Sequence, residues 1–167
     1  MKTSYSCSLV AIILLLCTNG IQAQTTQPKL NQMELMKQYL GIWKGELTKD
    51  TVMILNFTSY GKAIENNYKI VTQGKILYSG KEIYGYNQKY DKIILAAVTD
   101  YSPRISLAAC WFSSRDTGNL VGYQYLANPE KDNNKMQWIL IPPDSAKRIV
   151  YQNNKVIGVS TYFREKQ

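Results

Sequence analysis

A carboxylate and a row of phenols share one face of a strand-like segment, Ile76-x-Tyr78-x-Gly80-x-Glu82-x-Tyr84-x-Tyr86. If that face points into a core, Glu82 with Tyr84 could act as a general acid or anchor a polar group of a ligand. If it points to water, Glu82 is an ordinary solvated strand residue, and a one-residue change of register decides between the two. Lys81 takes whichever face Glu82 leaves, and we favour the outward setting for Glu82. Composition narrows the other routes to catalysis, leaving carboxylates, tyrosines and lysines as acid/base candidates. The chain has no histidine, which removes Ser-His-Asp and Cys-His chemistry and the commonest zinc ligand. Cys110 lies in the apolar run Leu107-Ala108-Ala109-Cys110-Trp111-Phe112 and reads as a small buried hydrophobe without a base to activate it. No metal, cofactor or catalytic residue is expected.

Aromatic residues offer a different chemistry. Tyrosines number 13 against 3 phenylalanines, so hydroxyls accompany most of the one-ring aromatic surface. Such residues pack well in strands, and around a cavity they can orient an amphipathic molecule. Trp111 shares its strand face with Ile105, Leu107 and Ala109, and Trp138 shares its face with Met136 and Leu140. Both tryptophans are therefore expected inside. With Tyr84, Tyr123 and Glu82 they form the candidate ligand-binding set. Asp116-Thr117-Gly118 has the short signature of aspartic proteases, but Ser113-Ser114-Arg115 precede it in place of an apolar strand and no second copy exists. A tight turn explains it better.

These residues need elements to position them. Asn31 reads as a helix N-cap with Glu34 completing a capping box, and Met33, Met36, Tyr39 and Leu40 follow at helical spacing until Gly41. The period then changes to two. Strands are expected over 42–48, 52–58, 63–72, 76–86, 92–100, 105–114, 120–127, 135–141, 147–152 and 155–164, separated by turn residues such as Gln73-Gly74, Asp116-Thr117-Gly118 and Asn153-Asn154. The links are too short for crossover helices, so neighbours should pair antiparallel. Ten meandering strands would expose two edges unless they close. The expected fold is all-β: an antiparallel up-and-down β-barrel of about ten strands with a short N-terminal helix plugging one end.

Residues 1–23 read as a secretory signal, with Lys2 ahead of an apolar run from Leu9 to Cys17 and a small residue, Ala23, at the cut. A lipoprotein signal with Cys17 as the lipidated residue is the rival, disfavoured by the large Leu16 before it. The expected organisation is a signal over 1–23, a polar tether over 24–31 and one barrel domain over 32–167, exported to a periplasmic or extracellular space. The net charge of +8 is spread over strand ends and turns. Scattered lysine serves solubility and edge protection, whereas nucleic-acid binders gather it on one face. No nucleic-acid partner and no transmembrane segment are expected.

Gly41-x-Trp43 opening the first strand, Arg164 near the end of the last, Gly85-Tyr86-Asn87 turning into Lys92-Ile93-Ile94, and the final Tyr162-Phe163-Arg164-Glu165-Lys166 together resemble the lipocalin-like bacterial secreted domains of the calycin group. The resemblance covers most of the chain after residue 23. It implies that Trp43 and Arg164 stack to close the barrel base, and that a small hydrophobic or amphipathic molecule occupies the interior without covalent chemistry. Two other functions compete. One is a small barrel enzyme of isomerase or cyclase type using Glu82 and Tyr84. The other is an envelope-associated module that binds proteins through its outer surface.

Overall fold

The computed structural model describes residues 29–166. The expected signal, Cys17 and most of the expected tether lie outside them. The short helix α1 (Gln32–Met36) runs on into a single 3-10 turn, Lys37–Tyr39. Ten strands follow: β1 (Gly41–Thr48), β2 (Thr51–Tyr60), β3 (Ala63–Thr72), β4 (Lys75–Asn87), β5 (Lys92–Thr99), β6 (Ser102–Phe112), β7 (Thr117–Gly122), β8 (Lys135–Ile141), β9 (Ser145–Gln152) and β10 (Lys155–Arg164). Each pairs antiparallel with its sequence neighbours, and β10 returns to pair with β1, so the sheet is a closed ten-stranded barrel. The expected fold class stands.

Turn chemistry sets the strand boundaries. Gln73-Gly74 and Asn153-Asn154 both have positive φ at their two central residues, the backbone that matches the twist of a tight hairpin. The largest departures from the expected boundaries are in β6 and β7. The β5–β6 turn falls at Asp100-Tyr101, so Pro103 sits inside the start of β6, at its second residue. Strand β7 begins earlier than expected and stops at Gly122, because the buried Asp132 takes the Gly122 N–H through Oδ2 at 3.0 Å and the chain turns into a 3-10 segment, Tyr123–Tyr125. Tyr123 therefore lies outside the sheet and is 40% exposed, against its expected place on a strand.

The helix closes one end. Asn31 Oδ1 accepts the Glu34 N–H at 3.1 Å, as an N-cap should, while the Glu34 carboxylate goes to Lys37 at 2.7 Å instead of back to the cap. Gln32 is buried and grips the end of β6 from both sides. Its Oε1 accepts the Phe112 N–H at 2.6 Å and its Nε2 donates to the Phe112 carbonyl at 3.3 Å. Met36 and Tyr39 drop into the core. Leu30 packs against the same core and Lys29 pairs with Asp91 at 3.3 Å, so the end of the expected tether is docked on the barrel.

The seam between β1 and β10 carries only three residue pairs, Trp43 with Arg164, Lys44 with Phe163 and Gly45 with Tyr162. Side chains make up for the short ladder. The Arg164 guanidinium lies over the Trp43 ring at 4.5 Å and donates to the carbonyls of Leu40 at 2.8 Å and Gln38 at 2.7 Å. The Trp43 indole N–H donates to the Tyr39 carbonyl at 2.7 Å. Gly41, at φ +115°, makes the bend from plug to strand, a conformation that L side chains rarely adopt. Gly45 is needed for space: a Cβ there would meet the Tyr162 ring at 2.6 Å.

Arg164→Ala removes one cation–π contact and two charge-assisted hydrogen bonds, and leaves two helix-end carbonyls bare. The expected loss is about 2–3 kcal/mol of unfolding free energy, read from urea denaturation. An unchanged midpoint would show that the seam does not depend on this residue.

Candidate ligand-binding cavity

Alternation along each strand decides which side chains meet inside. In β4 the inner positions are Tyr78, Gly80, Glu82 and Tyr84, and in β5 they are Ile93 and Leu95. Glu82 therefore points inward, which corrects the outward setting favoured from the sequence. The physical reason is a partner from the neighbouring strand. Asn66 on β3 lies opposite Glu82, is 1% exposed, and donates from Nδ2 to Glu82 Oε2 at 2.8 Å. The Tyr84 hydroxyl donates to the same oxygen at 2.6 Å. Asn66 is held in turn by the Asn56 N–H, which donates to its Oδ1 at 3.0 Å. A buried carboxyl needs such donors, and here three consecutive strands supply the chain of bonds.

The space between these walls is about 150 Å³ and is partly open to the outside. Apolar side chains dominate its wall, among them Met36, Leu55, Phe57, Ile93, Phe112 and Trp138. Tyr39 on the plug touches the rings of Trp43, Phe57, Phe112 and Trp138 with centroids 5.8–6.3 Å apart. Trp138 also packs on Tyr162 at 4.8 Å. Cys110 borders the cavity, and burial pushes its thiol up and keeps it protonated. It is a small core residue and no nucleophile.

Trp111 borders the cavity, but its ring packs in the outer layer and not in the inner core. Its face of β6, with Ile105 and Leu107, points to the outside of the barrel, where both are exposed. The Trp111 ring lies under the Lys92 ammonium at 5.1 Å and packs with a second cluster of Ala109, Val121 and Leu126. Phe112, Cys110 and Ala108 take the inner positions. The run Ala108 to Phe112 is apolar on both faces because both faces are covered, so alternation alone could not orient it. Of the candidate set, Glu82, Tyr84 and Trp138 come together around the cavity, Trp111 contributes to the wall from the outer layer, and Tyr123 is remote from the interior core.

One residue on the cavity wall is not among those singled out from the sequence. Arg148 on β9 faces the cavity. It makes no ion pair among the described residues. Its Nη1 approaches the Met53 sulfur at 3.6 Å, its guanidinium sits 5.7 Å from the Tyr162 ring centroid, and its Nε is buried with no hydrogen-bond partner. Little in the residue pattern marks it, because Lys147 and Arg148 are adjacent and one of them must face each way. The buried Tyr39 hydroxyl is likewise without a partner.

The interior phenols are hard to ionise. Burial first, then the neighbouring Glu82, raises Tyr84 well above its ordinary value; burial also raises Tyr39 and Tyr162, and Tyr68 is pushed up to about 12. Burial raises Tyr78 too, while Arg148 pulls it the other way. Among the described residues no cluster of His, Cys, Asp or Glu could hold a metal ion, and no helix is long and apolar enough to cross a membrane.

The two hydroxyls predict opposite mutational outcomes. Tyr39→Phe removes an orphaned polar atom and should leave the thermal midpoint unchanged or raise it. Tyr84→Phe strips Glu82 of a donor and should cost about 1–3 kcal/mol. Equal effects would contradict the hydrogen-bond assignment. The tyrosines also set an alkaline limit. Unfolded tyrosines lose their protons near pH 10, while the folded chain keeps them on. The native state then binds more protons, so stability is present below that pH and falls as pH rises through it. Urea midpoints should be flat from neutral pH to about 9 and drop above 10, and a midpoint that rises there would refute the shifts.

No protein-family model matches this chain, and no curated protein matches it.

Proposed function

We propose that this protein is a binding barrel, similar to the lipocalin-like domains, which holds a small hydrophobic or amphipathic molecule in its interior without covalent chemistry. The observation that carries the reading is the largely apolar cavity inside the barrel, with a few polar groups on its wall. That is the ordinary constitution of a small-molecule site. Its volume of about 150 Å³ limits the occupant. An apolar cavity of that size holds a benzene-sized molecule, while drug-sized ligands need about 300 Å³ or more. Sterols and bilins are therefore poor candidates for full enclosure, and a single ring or short branched chain fits. Export through the residues preceding the barrel remains part of this reading and is tested by the N-terminal sequence of the protein recovered from its native host.

The Glu82–Tyr84 contact at 2.6 Å inside the cavity favours a second reading, an enzyme of isomerase type. The two differ in what Glu82→Gln does. A binding protein keeps its ligand or loses it in one step, whereas an enzyme retains binding and loses turnover.

Occupancy can be tested by filling the space. Leu55→Trp, on the cavity wall, should abolish quenching of Trp138 by small aromatic compounds while circular dichroism stays unchanged. If wild-type protein binds no small aromatic compound by titration calorimetry or native mass spectrometry, the binding reading fails.

A further inference from the structure

Resting on the binding reading, we infer that the occupant is an organic monoanion, a small carboxylate whose acid group is taken by Arg148 and whose apolar part descends toward the plug. Arg148 is half-buried on the wall of a largely apolar pocket, and a guanidinium so placed is costly unless an anion meets it. Here the protein supplies none: Arg148 has no ion pair among the described residues and its buried Nε has no partner. Its fork of donors suits a planar carboxylate bound in two places.

The surroundings orient the ligand. Arg148 lies beside Met53, which comes from the open-end part of β2, and near Tyr162. The aromatic floor formed by Tyr39, Phe57 and Phe112 lies at the plugged end. A carboxylate at Arg148 therefore puts the apolar body onto those rings. Glu82 bears on the charge count. Strands β4 and β9 lie five places apart in the closed order of ten, so Glu82 faces Arg148 from the opposite side of the barrel. Both donors to Glu82 fall on Oε2, leaving Oε1 without a partner among the described residues. That wall is complemented by a hydrogen-bond donor such as a hydroxyl or ring N–H, and opposed by a second acidic group. The chemistry is that of a monocarboxylate with an aromatic or short branched body, and a diacid of the same size is disfavoured.

The test compares isosteres on wild-type protein, by calorimetry with benzoate, benzamide and phthalate. Benzoate should bind at least about tenfold more tightly than benzamide, the margin of a charge-assisted contact over a neutral one, and phthalate should bind more weakly than benzoate. In Arg148→Met the benzoate preference should vanish while benzamide binding persists, and Arg148→Lys should recover part of it. Equal binding of benzoate and benzamide by wild-type protein would overturn this inference and leave the binding reading standing. Retention of the preference in Arg148→Met, or phthalate binding as tightly as benzoate, would also overturn it. Failure of all three compounds together with neutral benzene and indole would instead sink the binding reading itself. If neither Arg148 variant folds, the wild-type comparison of benzoate with benzamide decides.

Discussion

The β1–β10 seam is the constraint on which the remaining structure depends. All nine other strand contacts carry five to ten residue pairs, but the seam has three. An open ten-stranded sheet would bare two edges and drain its interior. Three side chains hold the seam shut: Trp43, Arg164 and Tyr162. They do so by coupling the last strand to the plug, since Arg164 and Trp43 both bond to carbonyls at the end of the helical segment. Closing the barrel and seating the plug are consequently one event, and neither is secured without the other.

That coupling explains where polarity is tolerated inside. The plugged end is aromatic, and its unpartnered buried polar atoms are the Tyr39 hydroxyl and the Arg164 Nε. Higher up, polar groups occur as organised sets. Asn66, Glu82 and Tyr84 are hydrogen-bonded to one another across β3 and β4 through one carboxylate oxygen, with backbone help from β2. Arg148 on the far wall has only the Met53 sulfur and the Tyr162 ring beside it, and its buried Nε has no partner. A protein that can build the first arrangement has the means to satisfy the second, so the unpaired guanidinium stands out against its own surroundings.

Much of the fold was legible because it rests on local signals. Period-two patterning and turn residues located all ten strands, and β3, β8 and β10 fell within the boundaries expected from residue types alone. The site was less legible because it rests on cross-strand partners. Glu82 is directed inward by Asn66, 16 residues away in sequence, and no local pattern announces that pairing. Trp111 sits in a stretch apolar on both faces, since the segment after β7 folds over the outside and hides what would otherwise be a solvent face. Tyr123 left the sheet because Asp132, from the following loop, captured the Gly122 amide. In each case a distant residue settled a choice that alternation had left two-fold.

The buried thiol of Cys110 has a consequence of its own. It is the only cysteine among the described residues, it borders the cavity, and it is inert while the barrel is closed, because reaction needs an exposed thiolate. Its modification by a water-borne reagent must wait for the wall to part. The rate of that modification measures the free energy of local opening, so the chain carries an intrinsic clock for how often its interior meets the solvent, and any occupant that holds the walls together would slow it.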